Sequence, residues 1–580
     1  MENSGWNMYV FRDGRRNVPG QRLVSELRDS LAALEQGRCL SQDGLLDALV
    51  AAGELECALT DAGSDSAGCA ASISDAVAAK LVSTVASPSE NNRFSMGPLL
   101  AQLESFAPPQ QLCLSVHEGF AYYALHPLKL VDLLRDVLAG PLLEAVDSPA
   151  GSHFAVLGIR SIGVTLSAVL VAALRKSGCD AARTTVRPSG HPYDRRLALD
   201  EQQLAWIEAH HGAQFMVIDE GPGLSGSSFL AVAEALVSAG VTPHRILLIG
   251  SRQPEVAQLR SPNAVERWNR FRFVPMASRP YLPEGAAIAI GGGAWRQEFF
   301  ADSSDPPACW TQLEMAKFLS GDRRCFYKFE GFGHFGGDIG KRARALAAAG
   351  LGPAYLGNEA GFSIYQVSQG RALMRADLSP QRLRQLAAYC AFRLREFKAD
   401  DSQRSAIDEM ASWNWSLEFG DSAVFTPVEV EHRVFCDAHM MPHEWLQLPD
   451  GRLLKLDGGA HGDDHFFPGP CDIAWDLAGT IVEWNLSGSE AEYFLEQYRR
   501  ASGDDARLRL PSYLRAYVAF RMGWCKMAAL ASQGSFDEPL LWRDFERYRN
   551  HAAQLSGGAK TVVRQFIELK PNRAQTEPAA

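Results

Sequence analysis

Residues 214–230 read QFMVIDEGPGLSGSSFL. An apolar run, Phe215–Ile218, ends in two adjacent acids, Asp219 and Glu220. A Gly221-Pro222-Gly223 corner follows, then Ser225-Gly226-Ser227-Ser228 and an apolar helical pattern from Phe229 to Val237. The order is strand, acidic tip, small-residue loop, helix N-terminus. Backbone N–H groups in such a loop cradle a phosphate, and the helix dipole favours the anion. The hydroxyls at 225, 227 and 228 add donors. The two acids cannot take the phosphate itself, so they suit ribose hydroxyls or a magnesium ion beside it.

Outward from this stretch, strand patterns alternate with helix patterns. Leu112–Val116, Phe154–Ile159, Ala182–Val186, Phe215–Ile218 and Ile246–Ile249 read as strands, with helices at Leu128–Leu138 and Leu166–Arg175. Strands separated by helix-length segments predict an α/β fold with a mostly parallel sheet. Ligands of such sheets sit beyond the carboxyl ends of the strands, where Asp219 lies. Two further loops follow strands. Gly158-Ile159-Arg160-Ser161-Ile162-Gly163 has glycines that permit close backbone approach and an arginine suited to bidentate phosphate binding. Arg187-Pro188-Ser189-Gly190-His191-Pro192-Tyr193-Asp194-Arg195-Arg196 combines turn formers with three arginines. Each piece also has a plain reading: a Gly/Ser loop as a turn, Arg195-Arg196 as a solvated charge pair. In Val116–Tyr123 the aromatics could stack on a planar acceptor or simply belong to the core.

These three loops together resemble the type I phosphoribosyltransferases. The resemblance implies 5-phosphoribosyl-1-pyrophosphate (PRPP) as substrate and Mg2+ as cofactor. Gly158, Arg160, Ser161, Gly163, Arg187, Ser225, Gly226, Ser227 and Ser228 would bind PRPP, and Asp219 and Glu220 would hold the ribose at the catalytic centre. The loop between the acids and Ser225 is one residue longer than the family's. Chemistry in that family rests on positioning and charge, with pyrophosphate leaving and a nitrogen nucleophile arriving.

The character changes after about residue 285. A glycine triplet, Gly291–Gly293, precedes a short strand pattern holding Lys328, and a helix-like run spans Ile339–Ala349. Farther on, Cys436-Asp437-Ala438-His439 is followed by a hairpin pattern, Trp445–Leu448 and Arg452–Leu456 about an Asp450-Gly451 turn, ending at Asp457. Asp476-Leu477-Ala478 then opens a helix. This half resembles, more loosely, the aminoglycoside phosphotransferases and small-molecule kinases. The resemblance implies an α+β two-lobed fold and ATP as substrate, with Gly292, Gly293 and Lys328 binding it. Asp437 would be catalytic, and Glu444 and Asp457 would be metal ligands. The His-Gly that precedes the family's catalytic Asp is absent, and its metal-binding Asn is replaced by His443 or Glu444. A rival placement puts the catalytic residue in His461-Gly462-Asp463-Asp464-His465, but leaves no room for the hairpin before Asp472. The same imidazoles and carboxylates could also bind a transition metal.

The chain is expected to divide into a helical region 1–95, a phosphoribosyltransferase-like domain 96–285, a kinase-like domain 286–570 and a disordered tail 571–580. Leu23, Leu27, Leu31 and Leu34 recur at helical spacing in the first region. With 46% hydrophobic and 22% charged residues among 580, the chain has the composition of a soluble globular protein. A net charge of −11 argues against a nucleic-acid partner. The longest apolar stretch, near Val164–Leu174, is too short to span a bilayer. Eleven scattered cysteines without CxxC spacing read as free thiols of a cytoplasmic protein. The expectation is therefore a bifunctional transferase, the alternative a regulatory protein that senses PRPP or nucleotide with one or both sites inactive.

Overall fold

The computed structural model describes residues 8–12, 14–36, 42–86, 95–104, 106–139, 153–276, 280–301, 303, 305–400, 405–420 and 425–557. The tail expected at 571–580 lies outside them.

β1 (Arg16–Pro19) pairs antiparallel with β2 (Gln111–Leu114). Among the described residues four helices run between them, α1 (Gly20–Glu35), α2 (Gln42–Asp61), α3 (Ala67–Ala86) and α4 (Gly97–Glu104). In α1 the buried residues Val24, Leu27, Leu31 and Leu34 form one stripe at helical spacing.

The second sheet is parallel: β3 (His153–Ile159), β4 (Asp180–Val186), β7 (Gln214–Ile218), β8 (Ile246–Gly250) and β9 (Arg272–Pro275), in the order β4-β3-β7-β8-β9. A small hairpin, β5 (Ser189–His191) and β6 (Asp194–Arg196), projects after β4. The central strands are apolar on both faces because both faces are covered. Phe154, Val156, Met216, Ile218, Leu247 and Ile249 face one core with the N-terminal helices. Ala155, Leu157, Phe215, Val217, Ile246 and Leu248 face a second core under the helix Ser227–Ser238.

The helix Ile162–Lys176 is buried almost all round, lying between the sheet and α2 and α3. The sequence divides near residue 95, yet α1–α3 share one continuous core with the parallel sheet. Gly53 marks the tightest crossing: a Cβ there would lie 1.9 Å from Thr165 Oγ1. Gly to Ala within a helix ordinarily stabilises by about 1 kcal/mol. Here overpacking costs ~1–3 kcal/mol, so Gly53→Ala is expected to lower the unfolding free energy, as measured by urea denaturation.

The third sheet is antiparallel: β10 (Ala286–Ala289), β11 (Lys317–Ser320), β12 (Cys325–Phe329), β13 (Tyr355–Glu359) and β14 (Phe362–Gln366), in the order β10-β11-β12-β14-β13. Tyr327, Phe329 and Phe362 of this sheet, with Phe332, join the core of the N-terminal half. The remainder is largely helical, around a separate core that includes Trp415, Trp445, Trp475 and Trp484. The predicted hairpin is present, with Trp445–Gln447 antiparallel to Leu453–Lys455. No helix among the described residues is long and apolar enough to cross a membrane.

Candidate functional site

The loops after β3 and β7 lie side by side, because Gly158 pairs with Ile218 across the two strands. In sequence order the strands read second-first-third-fourth-fifth, so β3 and β7 flank the point where the order reverses. Open α/β sheets bind ligands at that crevice. Gly158 and Gly163 are what allow the two loops to close. A Cβ on Gly158 would lie 2.3 Å from the Gly163 carbonyl, and one on Gly163 would lie 2.7 Å from the Ile218 carbonyl. Ser161 has φ 118° and ψ −124°, a backbone region that costs a non-glycine residue on the order of 1–3 kcal/mol and recurs at functional sites. Its hydroxyl donates to the Val116 carbonyl at 3.3 Å.

Arg160 and Arg187 both reach this crevice, and both meet a partner that the sequence did not point to. Arg160 donates to Asp61 at 3.1 Å, and Arg187 donates to the same carboxylate and to Cys57 Sγ. Asp61 and Cys57 stand at the C-terminal end of α2, about a hundred residues earlier, where no motif marks them. Asp61 therefore occupies both guanidinium groups that the sequence offered to a phosphate.

After β7, Asp219 and Glu220 are partly buried. Burial pushes Asp219 up to about 7; the Glu220 N–H, at 2.9 Å from its carboxylate, works the other way, as do Arg195 and Arg187. Burial, with Glu118 and Asp219 as like charges, pushes Glu220 up to about 8. Ser225 and Ser227 both donate to the Pro192 carbonyl, at 2.9 and 2.7 Å, so the β5–β6 hairpin rests on the serine loop. Gly226 caps the helix with φ 68°, a conformation that glycine adopts freely. Ser227 and Ser228 form its first turn.

The second group of residues lies on β12 and beyond. Lys328 is buried, forms an ion pair with Asp457, and lies 3.8 Å from Glu330. Lys317, opposite it on β11, was not singled out by sequence; it holds Glu314 at 2.5 Å. The glycine turn lies one strand further along. Gly291 packs on the Lys317 backbone, the Gly293 N–H donates to Glu314 at 2.7 Å, and Gly292 and Gly293 have φ 61° and 81°.

Asp437 is fully buried. It accepts the Tyr389 hydroxyl and lies 3.2 Å from Lys455 and 3.6 Å from Arg393. The backbone N–H groups of Asp437 and Ala438 donate to Asp476 at 2.9 and 3.0 Å, so the helix-opening Asp476 fixes the segment carrying Asp437. Lys455 also holds Glu444 at 2.9 Å. Burial opposes the charge on Glu444, but Lys455 and then His461 keep it well below the usual carboxylate range. Burial likewise opposes the charge on Asp457, and Lys328 and His461 override it. Lys455, Tyr389 and Arg393 escaped the sequence reading because a lysine in a strand and residues inside a helix carry no local signal.

The segment His461–His465 does not act as one cluster. His461 donates toward Asp457 at 2.9 Å, and Asp463 is paired with Arg342 and Arg12. Asp464 accepts the N–H groups of Phe466 and Phe467. His465 bonds the Tyr123 hydroxyl and lies 3.5 Å from Glu118. This last contact places the segment against residues neighbouring Glu220. The Tyr122 ring stacks on His465 at 5.2 Å, and Phe120 is core.

Asp457 is a hard oxygen donor, 21% exposed, of the kind magnesium takes, and its two oxygens already meet Lys328 and His461. Magnesium takes one or two carboxylates and fills its remaining positions with phosphates and water. Glu444 stands instead with His439 and His461, nitrogen donors that magnesium does not favour.

No family model and no curated protein matches the chain. Among solved structures it is similar to choline kinase LicA from Streptococcus pneumoniae, at 14% identity over 41% of this chain and 89% of that one, with a TM-score of 0.29. It is similar to an ethanolamine kinase from Plasmodium vivax at 10% identity, over 41% of this chain and 81% of that one, with a TM-score of 0.29. An aminoglycoside phosphotransferase from Alicyclobacillus acidocaldarius is 10% identical over 51% of this chain and 99% of that one, with a TM-score of 0.30.

Proposed function

We propose that residues 286–570 form an ATP-dependent small-molecule phosphotransferase and that residues 96–285 carry a PRPP site of phosphoribosyltransferase type. The observation that carries the first part is the connected charge network Lys328–Asp457–His461 and Glu444–Lys455–Asp437. Phosphoryl transfer asks a protein chiefly for positioning and for charge to spread over the phosphates. Lys328 supplies a fixed cation, and Lys317 is a second on the neighbouring strand. Asp457 would hold magnesium, which neutralises phosphate oxygens when bound. Asp437, anchored through Asp476, would orient an acceptor hydroxyl.

Support for the PRPP site is the apposition of the 158–163 and 219–228 loops at the reversal of strand order. Backbone N–H groups and the Ser228 hydroxyl would take the phosphates, since Ser225 and Ser227 donate to Pro192, and Asp219 and Glu220 would take the ribose side.

A second reading, nucleotide and PRPP sensing without turnover, is favoured by one observation: Asp437 is fully buried and already bonded to Tyr389. The two readings separate on turnover. Incubation with Mg·ATP and a panel of amino-alcohol and sugar acceptors is expected to give acceptor-dependent ADP. Binding of ATP without ADP formation against any acceptor would select the sensor.

A further inference from the structure

We propose that His439, Glu444 and His461 form a site for a borderline transition-metal dication, of which zinc is the type. The ligand atoms of the three residues lie within 4.8 Å of one another. They come from two segments separated by the 445–455 hairpin, whose fold brings them together. His439 Nδ1 lies 3.3 Å from Glu444 Oε1. Tetrahedral ligands at Zn–N and Zn–O distances of about 2.0–2.1 Å stand roughly 3.3–3.4 Å apart, so this pair is already at a ligand spacing.

Two of the three residues have their other polar atom held by a neighbour. Lys455 takes Glu444 Oε2 at 2.9 Å, leaving Oε1 on the side of His439. His461 Nε2 faces the Asp457 carboxylate at 2.9 Å, while its Nδ1 is buried and makes no hydrogen bond. A carboxylate on one ring nitrogen fixes the tautomer and leaves the other nitrogen's lone pair free, as around metal-bound histidines generally. The two imidazole rings stack at 3.9 Å between centroids, so both nitrogens reach one ion only after one ring turns out of the stack.

Two nitrogens and one carboxylate oxygen select a borderline ion over magnesium or calcium, which prefer all-oxygen shells. Three protein ligands leave a fourth position open. The cluster Glu431, His432 and Asp504 is different: Arg509 pairs with both carboxylates, at 2.6 and 2.7 Å. The inference lies in the half read above as a phosphotransferase but rests on ligand geometry alone.

The test uses the full-length protein freed of metal by chelation and titrated with Co2+. One equivalent should bind with an intense visible d–d spectrum typical of four-coordination, and Zn2+ should displace it. X-ray absorption on the zinc-loaded wild type should report two imidazoles and oxygen, a measurement that needs no variant. His439→Gln and His461→Gln should each weaken Co2+ binding by at least about 100-fold, and Asp457→Asn by about 10–100-fold. Absence of the cobalt spectrum, a zinc shell without imidazole, or an unchanged spectrum in both histidine variants would overturn the proposal. Mg·ATP binding by the wild type in the same preparation tests the phosphotransfer reading separately, so either can fail without the other.

Discussion

Asp457→Asn is expected to lower ATP-dependent phosphotransfer by on the order of 100–1,000-fold, the scale seen when one preorganised charge-stabilising group is removed from an active site. Its carboxylate takes Lys328 on one oxygen and His461 on the other. Without it, Lys328, whose side chain is 4% exposed, keeps among the described residues Glu330 alone, at 3.8 Å. Breaking a fully buried pair costs roughly 3–5 kcal/mol; Asp457 is 21% exposed, so the cost here is smaller. The double variant Lys328→Met/Asp457→Asn removes both charges and is expected to recover stability without recovering turnover. That split, read by denaturation and by ADP release, separates a catalytic from a merely structural ion pair. Turnover within a few-fold of wild type in Asp457→Asn would mean that the metal-binding acid lies elsewhere.

The second large effect concerns Asp219 and Glu220. Both are raised, to about 7 and about 8, chiefly by burial. In the unfolded chain such groups titrate near 4. A carboxyl group raised on folding binds its proton more tightly in the native state, so its contribution to stability is fully present below pH ~4 and is lost as pH rises through the native values. Between about pH 4 and pH 8 these two groups therefore make the ligand-free protein less stable as pH rises. A cation that binds the ionised pair pulls the other way. The stabilisation by Mg·PRPP is thus expected to be larger at pH 8.5 than at pH 6. Asp219→Asn/Glu220→Gln should flatten the pH slope across that window and abolish the Mg·PRPP shift. A shift that survives the double variant would remove the acids from the site.

How far the sequence revealed these features depended on how local their signals are. Phe215–Ile218 followed by Asp219-Glu220 and a Gly/Ser loop defines a strand, its tip and a helix start within seventeen residues, and β7 and the helix Ser227–Ser238 fall there. The Asp450-Gly451 turn likewise located the hairpin. β9 escaped because Arg272–Pro275 is an edge strand with one buried residue. The partners of Arg160 and Arg187 could not be read, since Asp61 is 99 and 126 residues away and lies in a helix with no chemical motif. The role of Glu118 was hidden for the same reason: the aromatics around it drew attention, while its value lies in facing Glu220 and His465. His461 read as part of a contiguous HGDDH motif, yet folding turns Asp463, Asp464 and His465 toward six different partners. Only the return of the chain after the hairpin sets it against His439.

The central claim is that one chain holds two separate sites for phosphate-bearing ligands. Isothermal titration of the wild-type protein with Mg·ATP, with Mg·PRPP, and with each after saturation by the other tests it most directly. One equivalent of each ligand should bind, with an undiminished stoichiometry for the second. Failure of PRPP to bind, or its displacement by ATP in a one-for-one competition, would contradict it.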